Sequence, residues 1–194
     1  MNEIIEKAQI EVSNRHVHLS VEDSGILFGK EKKLTSFKKL SQLGQFAANE
    51  VITLINKDKM IKFVRVVGPE RKESQVELSK TDARYLGMDV PIRLSGDIEN
   101  TPGITIKGTN GEIKLKKGVI VPQRHLHCSP EESKKLRIEN GQDISISVSG
   151  IRSAILNKVR VRVHPNFRLA IHLDTDEANT LDIKKKNIGF FKIK

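Results

Sequence analysis

Ile10-Glu-Val-Ser-Asn-Arg-His-Val-His-Leu-Ser20 and Val119-Ile-Val-Pro-Gln-Arg-His-Leu-His-Cys-Ser129 carry one pattern twice: an apolar entry, Arg-His-x-His and a closing Ser. Both histidine pairs are 109 positions apart, 16 to 125 and 18 to 127. A second correspondence follows at an offset of 95, where Gln75-Val-Glu-Leu-Ser-Lys-Thr-Asp-Ala83 lies over Ala170-Ile-His-Leu-Asp-Thr-Asp-Glu-Ala178, so that Glu77 falls opposite His172. Ahead of these segments, Val64-Arg-Val66 lies over Val159-Arg-Val161. Self-similarity whose elements keep their order is the mark of a duplicated structural unit.

Around the repeats the chain alternates apolar and polar residues with the period of two that half-buried strands require. Such alternation runs through Glu11 to Leu19, Val51 to Ile55, Ile61 to Val67, Ile104 to Ile106, Ile144 to Val148, Val159 to Val163 and Leu169 to Leu173. Gly68-Pro69, Ser95-Gly96-Asp97, Asn110-Gly111 and Asn140-Gly141 read as turns. Ser20-Val-Glu-Asp23 and Ser129-Pro-Glu-Glu132 look like helix caps with acids in the first turn, so a short helix is expected after each His-x-His. The expectation is a mainly β protein of two similar small β-barrel domains with short helices, arising from internal duplication. The expected domains are residues 1–97 and 98–194, with an approximate boundary and segments free to swap between barrels.

The chain has 194 residues, 30% of them charged and 37% hydrophobic, which is enough to bury a core. Apolar runs such as Glu50 to Ile55 and Gly118 to Val121 fall far short of the roughly 20 residues that cross a bilayer, so no membrane association is expected. Residues Met1 to Gln9 mix Glu3, Glu6 and Lys7 with apolar positions and do not form a secretory signal. A cytoplasmic location is the expectation. The net charge of +10 favours anionic partners, although part of it lies in the terminal lysines 184, 185, 186, 192 and 194, which read as a solvated tail. The basic stretch from Lys57 to Arg71 is better placed to bind. Aromatic residues make up 4% with no Trp, too few for a base-stacking platform, so nucleic acid is not the expected partner.

Side chains two apart on a strand share a face, so His16 and His18 point together while Val17 points to the opposite layer; His125 and His127 flank Leu126 in the same way. A catalytic zinc takes three protein donors and keeps one position open, and the repeat supplies a third donor in each half, Glu77 and His172. An isolated histidine is more often a satisfied structural residue, but four of the six here fall in two copies of one motif. His164 has no counterpart and reads as structural. The single cysteine, Cys128, stands beside a motif histidine, where it reads as a metal ligand, a nucleophile or a small buried hydrophobe.

Ser13-Asn-Arg-His-Val-His-Leu-Ser20, Gly68-Pro-Glu-Arg-Lys-Glu-Ser-Gln-Val-Glu-Leu78, Arg93-Leu-Ser-Gly-Asp97, Arg124-His-Leu-His127 and His172-Leu-Asp-Thr-Asp-Glu-Ala-Asn179 together resemble the phosphate propanoyltransferases, a family of phosphotransacylases, over nearly the whole chain. The resemblance implies two β-barrel domains, two zinc ions per chain and transfer of a short acyl group, propanoyl or acetyl, between coenzyme A and inorganic phosphate. By motif match it assigns His16, His18 and Glu77 to one zinc and His125, His127 and His172 to the other. It places the phosphate-binding arginine at Arg71 and coenzyme A contacts near Val12, Ser13, Asn14, Lys57, Arg65 and Asn179. Ser95 and Arg162 are expected to support the site. Cys128 departs from the family, which often has Met there. The stretch before the first motif is shorter than the amphipathic extension of members housed in microcompartments, in keeping with a free cytoplasmic enzyme, and a homo-oligomer is compatible with these features. Phosphate is expected to attack the thioester directly, without an acyl-enzyme. Two competing readings are a binuclear metal-dependent thioester hydrolase and a basic nucleic-acid-binding β-barrel with structural metals.

Overall fold

A computed structural model describes residues 4–184 and 187–193. Lys185, Lys186 and Lys194 of the terminal lysine run, and the first three residues of the N-terminal segment, lie outside the described residues. In chain order the strands are β1 Ile4–Ser13, β2 His16–His18, β3 Ser36–Lys39, β4 Phe46–Asn56, β5 Lys59–Gly68, β6 Gln75–Glu77, β7 Ile92–Arg93, β8 Thr105–Lys107, β9 Glu112–Lys114, β10 Val119–Pro122, β11 His125–Cys128, β12 Asp143–Val148, β13 Ala154–Val163, β14 Ala170–Asp174 and β15 Ile188–Ile193. Four short helices punctuate them: α1 Val21–Phe28, α2 Lys80–Tyr85, α3 Pro130–Leu136 and α4 Thr175–Thr180. The protein is mainly β, as its alternation requires.

The chain forms two compact units, which are not consecutive halves. One comprises Asn14–Pro122; the other combines the chain through Ser13 with the chain from Gln123 onward. A cut between residues 97 and 98 therefore does not coincide with the units: residues 98–122 belong with the first His-x-His, and the leading strand β1 belongs with the second.

The second unit is a closed barrel in the order β1-β14-β11-β13-β12-β15. Its core gathers Ala8, Ile10, Leu126, Cys128, Ile146, Val159, Val161, Ile171, Leu173 and Phe191. The first is a nine-stranded, half-barrel sheet in the order β7-β10-β6-β2-β5-β4-β8-β9, with β3 added to β4. Val17, Leu19, Leu54, Val66, Val76, Leu78, Ile106 and Val119 fill its core.

Register within the units reproduces the repeat. His16 lies opposite Arg65 in a parallel pair and opposite Glu77 in an antiparallel one. His125 lies in the same way opposite Arg160 and His172. The leading strands obey the same symmetry in exchange. Glu11 of β1 pairs with His172, whereas Ile120 of β10 pairs with Glu77. Each leading strand thus completes the sheet built by the other repeat. The expected strand Glu11 to Leu19 is therefore broken at Asn14 and Arg15: the polar run Ser13 to His16 shifts the apolar positions from Ile10 and Val12 to Val17 and Leu19, and β1 and β2 hydrogen-bond to different sheets.

Helices α1 and α3 follow the two His-x-His motifs, capped by Ser20 and Ser129, and α3 carries a full capping box with Glu132. Helices α2 and α4 go beyond the elements expected from periodicity. They have equivalent caps, since the Ser79 side chain accepts from the Asp82 N–H and the Asp174 side chain accepts from the Glu177 N–H. Those polar atoms satisfy N–H groups that lack partners within the helix.

Candidate metal centres

In the first unit β2 is hydrogen-bonded to β6 with His16 directly opposite Glu77, so His16, His18 and Glu77 share one face. The His16 Nδ1–H donates to the Asn14 carbonyl over 2.8 Å and the His18 Nδ1–H to the Val67 carbonyl over 3.0 Å. A carbonyl can only accept, so in each neutral ring the proton resides on Nδ1 and Nε2 presents a lone pair. The two Nε2 atoms then face one another at 3.2 Å. The Glu77 carboxylate closes the triangle, 3.5 Å from His16 Nε2 and 3.9 Å from His18 Nε2. With both rings neutral, these three acceptors repel one another unless a cation lies between them. Their spacing suits zinc, whose tetrahedral donors at about 2.0–2.1 Å from the ion stand about 3.3 Å apart.

Burial, the neighbouring His16 and the positive Arg71 hold His18 well below its usual range, so it is neutral at physiological pH. Burial works to raise Glu77, but His16 and His18, a hydrogen bond from Ser95 and the charge of Arg71 outweigh it and hold the carboxyl at about 2. His18 and Glu77 are thus in the deprotonated forms that metal binding needs. Gln75, which is not among the expected site residues, orients the carboxylate. Its amide donates to Glu77 Oε1 over 2.6 Å and to Ser95 Oγ over 2.9 Å, and its carbonyl accepts from the Gly96 N–H over 2.7 Å. Arg71 Nη1 donates to the same Ser95 hydroxyl over 3.1 Å. Its backbone is pinned by an N–H donated to the Leu19 carbonyl, 2.8 Å away. Arg71, Ser95, Gln75 and Glu77 form one connected chain.

In the second unit His125, His127 and His172 bring their donor atoms within 4.8 Å of one another. The His125 Nδ1–H donates to the Gln123 carbonyl at 2.8 Å, matching the bond from His16 to Asn14. Neither ring nitrogen of His127 has a hydrogen-bond partner among the described residues, although both are buried. Burial, His125, His172 and Arg162 all oppose protonation of His127. A neutral, orphaned imidazole beside two others fits a cation-binding set, because a buried polar group with no partner is otherwise costly. Glu11, paired with His172 across the ladder, lies 3.9 Å from His172 Nδ1. Phe167 stacks on the His127 ring with centroids 3.7 Å apart, and Arg162 covers the Phe167 ring, 5.6 Å from its centroid. Phe167 and Gln75 are not among the expected site residues, because each acts through contacts made only after folding.

The phosphate propanoyltransferase family model matches residues 9–184. The chain is 41% identical to a phosphate propanoyltransferase of Enterococcus faecalis over 98% of its own length and 96% of the relative's. It is 48% identical to one of Thermotoga maritima and 46% identical to one of Salmonella typhimurium, covering 87% of this chain and 80% of the relative in each case. The chain belongs to the phosphate propanoyltransferase family. It is accordingly an acyltransferase that uses phosphate, a conclusion that the relatives support and the acceptor-lined triads suit.

For a phosphate propanoyltransferase, the remaining candidate residues are distributed as follows. In the first unit, Asn14 presents its carbonyl to His16. Arg65 lies beside His16 on β5, donates to the Ala48 carbonyl over 2.7 Å and covers the Phe37 ring at 4.8 Å. Lys57 is not brought to this group. It occupies the turn between β4 and β5 with a φ of 55°. From there to Arg65 the strand runs roughly 20 Å at about 3.3 Å per residue. In the second unit, Val12 is exposed, Ser13 pairs with Asp174, and Asn179 is exposed on α4. Arg162 lies opposite His127 in the β11–β13 ladder. Cys128 points away from the triad into the core, fully buried, and burial pushes its thiol up to about 11. Of the three readings of this cysteine, the small buried hydrophobe is the one its environment matches. Among the described residues no helix is long and apolar enough to cross a membrane.

Proposed function

We propose that this acyltransferase interconverts a short-chain acyl-coenzyme A, propanoyl or acetyl, and phosphate with acyl phosphate and coenzyme A. One zinc ion is held by His16, His18 and Glu77 and a second by His125, His127 and His172. The observation that carries this reading is the meeting of His16 Nε2, His18 Nε2 and the Glu77 carboxylate on one face of the β2–β6 ladder. When bound, each metal supplies a Lewis acid at a position that three protein donors leave open.

The reaction is a direct substitution at the thioester carbonyl. A phosphate oxygen forms a bond to the carbonyl carbon, the carbon–sulfur bond breaks, and the electron pair leaves on sulfur as the thiolate of coenzyme A. Phosphate is a weak nucleophile in water, so its position and desolvation control the rate. Arg71 is suited to positioning it, because a guanidinium grips two phosphate oxygens as a fork and the Ser95 hydroxyl sets its orientation at 3.1 Å. Gln75 keeps Ser95 and Glu77 in a fixed relation, so the phosphate-holding arginine and the carboxylate donor share one scaffold. Arg65 and the residues near Val12, Ser13, Asn14 and Asn179 are the candidates for contacts with coenzyme A, and Lys57 would meet only the far end of such a ligand. Cys128 takes no part, since its thiol is buried on the opposite face.

The test is metal analysis of the purified protein joined to thiol release from propanoyl- and acetyl-coenzyme A, with and without phosphate, before and after chelation. Two equivalents of zinc and strictly phosphate-dependent release, abolished by chelation and restored by zinc, are expected. Release independent of phosphate would make the protein a thioester hydrolase instead, and full activity in stringently metal-free protein would remove both triads from the mechanism.

A further inference from the structure

The Arg that opens each Arg-His-x-His motif has no role in the reading above, yet both copies make the same contact. Arg15 presents a two-pronged fork to Asp82, with Nε and Nη2 each 2.8 Å from a carboxylate oxygen. Arg124 donates through Nε to Glu177 over 2.8 Å. Asp82 and Glu177 occupy equivalent places, the third position of α2 and of α4, and their N–H groups donate to the cap residues Ser79 and Asp174. Those helices begin directly after the strands that carry Glu77 and His172. Each arginine therefore ties the residue before the histidine pair to the helix that follows the third donor.

The ladder that brings the candidate donors together is short. In the first unit β2 is only three residues long, and its antiparallel pairing with β6 comprises His16 with Glu77, Val17 with Val76 and His18 with Gln75. Beyond His16 the chain leaves the ladder at Arg15, where β1 has already passed to another sheet. His16 is also paired with Arg65 of β5 and Glu77 with Ile120 of β10, but the β2–β6 ladder itself ends at this pair, and metal–donor distances hold to within about 0.2 Å. The Asp82 carboxylate is buried, so its bidentate pairing with a planar guanidinium holds direction as well as distance. The device occurs twice with different acids, Asp in one repeat and Glu in the other, and so retains the pairing where the side chain has changed.

We infer that Arg15 and Arg124 are positioning residues for the two metal triads, each fixing the distance between its histidine pair and the third donor through a salt bridge to the following helix. The inference rests on the metal reading of the triads. It is tested with the full-length, metal-free protein titrated with cobalt(II), whose visible absorption reports donor number and geometry. Unmodified protein is expected to take up two equivalents. Arg15→Gln is expected to weaken one equivalent by about 10–100-fold, the scale of outer-shell losses, and to shift its absorption at saturating cobalt while the other equivalent is unchanged. Arg124→Gln is expected to do the same to the other equivalent, and Arg15→Lys, which keeps the charge without the fork, to fall between. Asp82→Asn provides the same test from the partner side should Arg15→Gln not fold. A loss of urea resistance with both cobalt affinities and spectra unaltered would overturn the inference and leave the triads standing. Failure of the unmodified protein to bind cobalt at all would overturn the metal reading and the inference with it.

Discussion

Replacing Gln75 by Leu keeps a similar volume at a side chain that is 2% exposed while removing every polar contact it makes. The bond to the Glu77 carboxylate, 2.6 Å long, is charge-assisted and contributes about 1.5–3 kcal/mol, and those to Ser95 and Gly96 about 0.5–1.5 kcal/mol each. Because Glu77 and the Gly96 N–H lose a partner in a place that water reaches poorly, the cost should lie near the middle of the combined range, about 4 kcal/mol. That is a large share of the roughly 5–15 kcal/mol that holds a typical domain together. Urea unfolding of the metal-free protein would measure it, with metal-free conditions chosen so that any binding loss does not add to the folding loss. A change below about 1 kcal/mol would mean that the amide is not fixing the carboxylate, and the connected chain from Arg71 to Glu77 would have no energetic content.

The metal-free protein should lose stability on mild acidification, because burial and neighbouring positive charge keep His18 and His127 neutral when folded whereas the unfolded chain protonates both. Their contribution is complete above the unfolded value of 6.5 and is lost as pH falls toward the depressed folded values. Two such groups cost about 3 kcal/mol between pH 7.5 and 5.5, offset in part by Glu177, which burial raises to about 7 so that the folded protein takes up a proton there over the same window; equal urea midpoints at the two pH values in a Glu177→Gln background would contradict it. Arg71→Lys should reduce phosphate-dependent turnover by about 100-fold, the scale for losing one oriented charge-stabilising group, with thermal unfolding unchanged; near-normal turnover would free Arg71 from the phosphate role. Cys128→Ser should keep turnover within a few-fold while costing about 1–2 kcal/mol for burying a hydroxyl in the apolar core, whereas an inactive but folded variant would reinstate a nucleophilic cysteine. Residues 1–97 and 98–194, expressed separately, should each be poorly folded by circular dichroism and regain structure on mixing, since each lacks a strand the other carries; two independently folded halves would contradict the strand exchange.

Much of the centre could be read from residues alone because its geometry is local. A strand's period of two puts His16 with His18 and His125 with His127 whatever surrounds them, and the repeat carries Glu77 onto His172 without any knowledge of the sheets. The connection between sheets is different. Ser13 to His16 are all polar and the apolar positions shift from Ile10 and Val12 to Val17 and Leu19, so the pattern marks a break there, but not that the first part completes one sheet and the second part another. The repeat sets Asp82 over Glu177 and includes Gln75, but the roles of these residues and of Phe167 were not legible, since they lie in contacts between elements distant in the chain. Periodicity and internal repetition thus determined the candidate donors and the mainly β architecture. Hydrogen bonding between strands far apart in sequence decided the exchange of leading strands and the outer partners of the donors, because side-chain alternation dictates which face a residue occupies but not which strand its backbone joins.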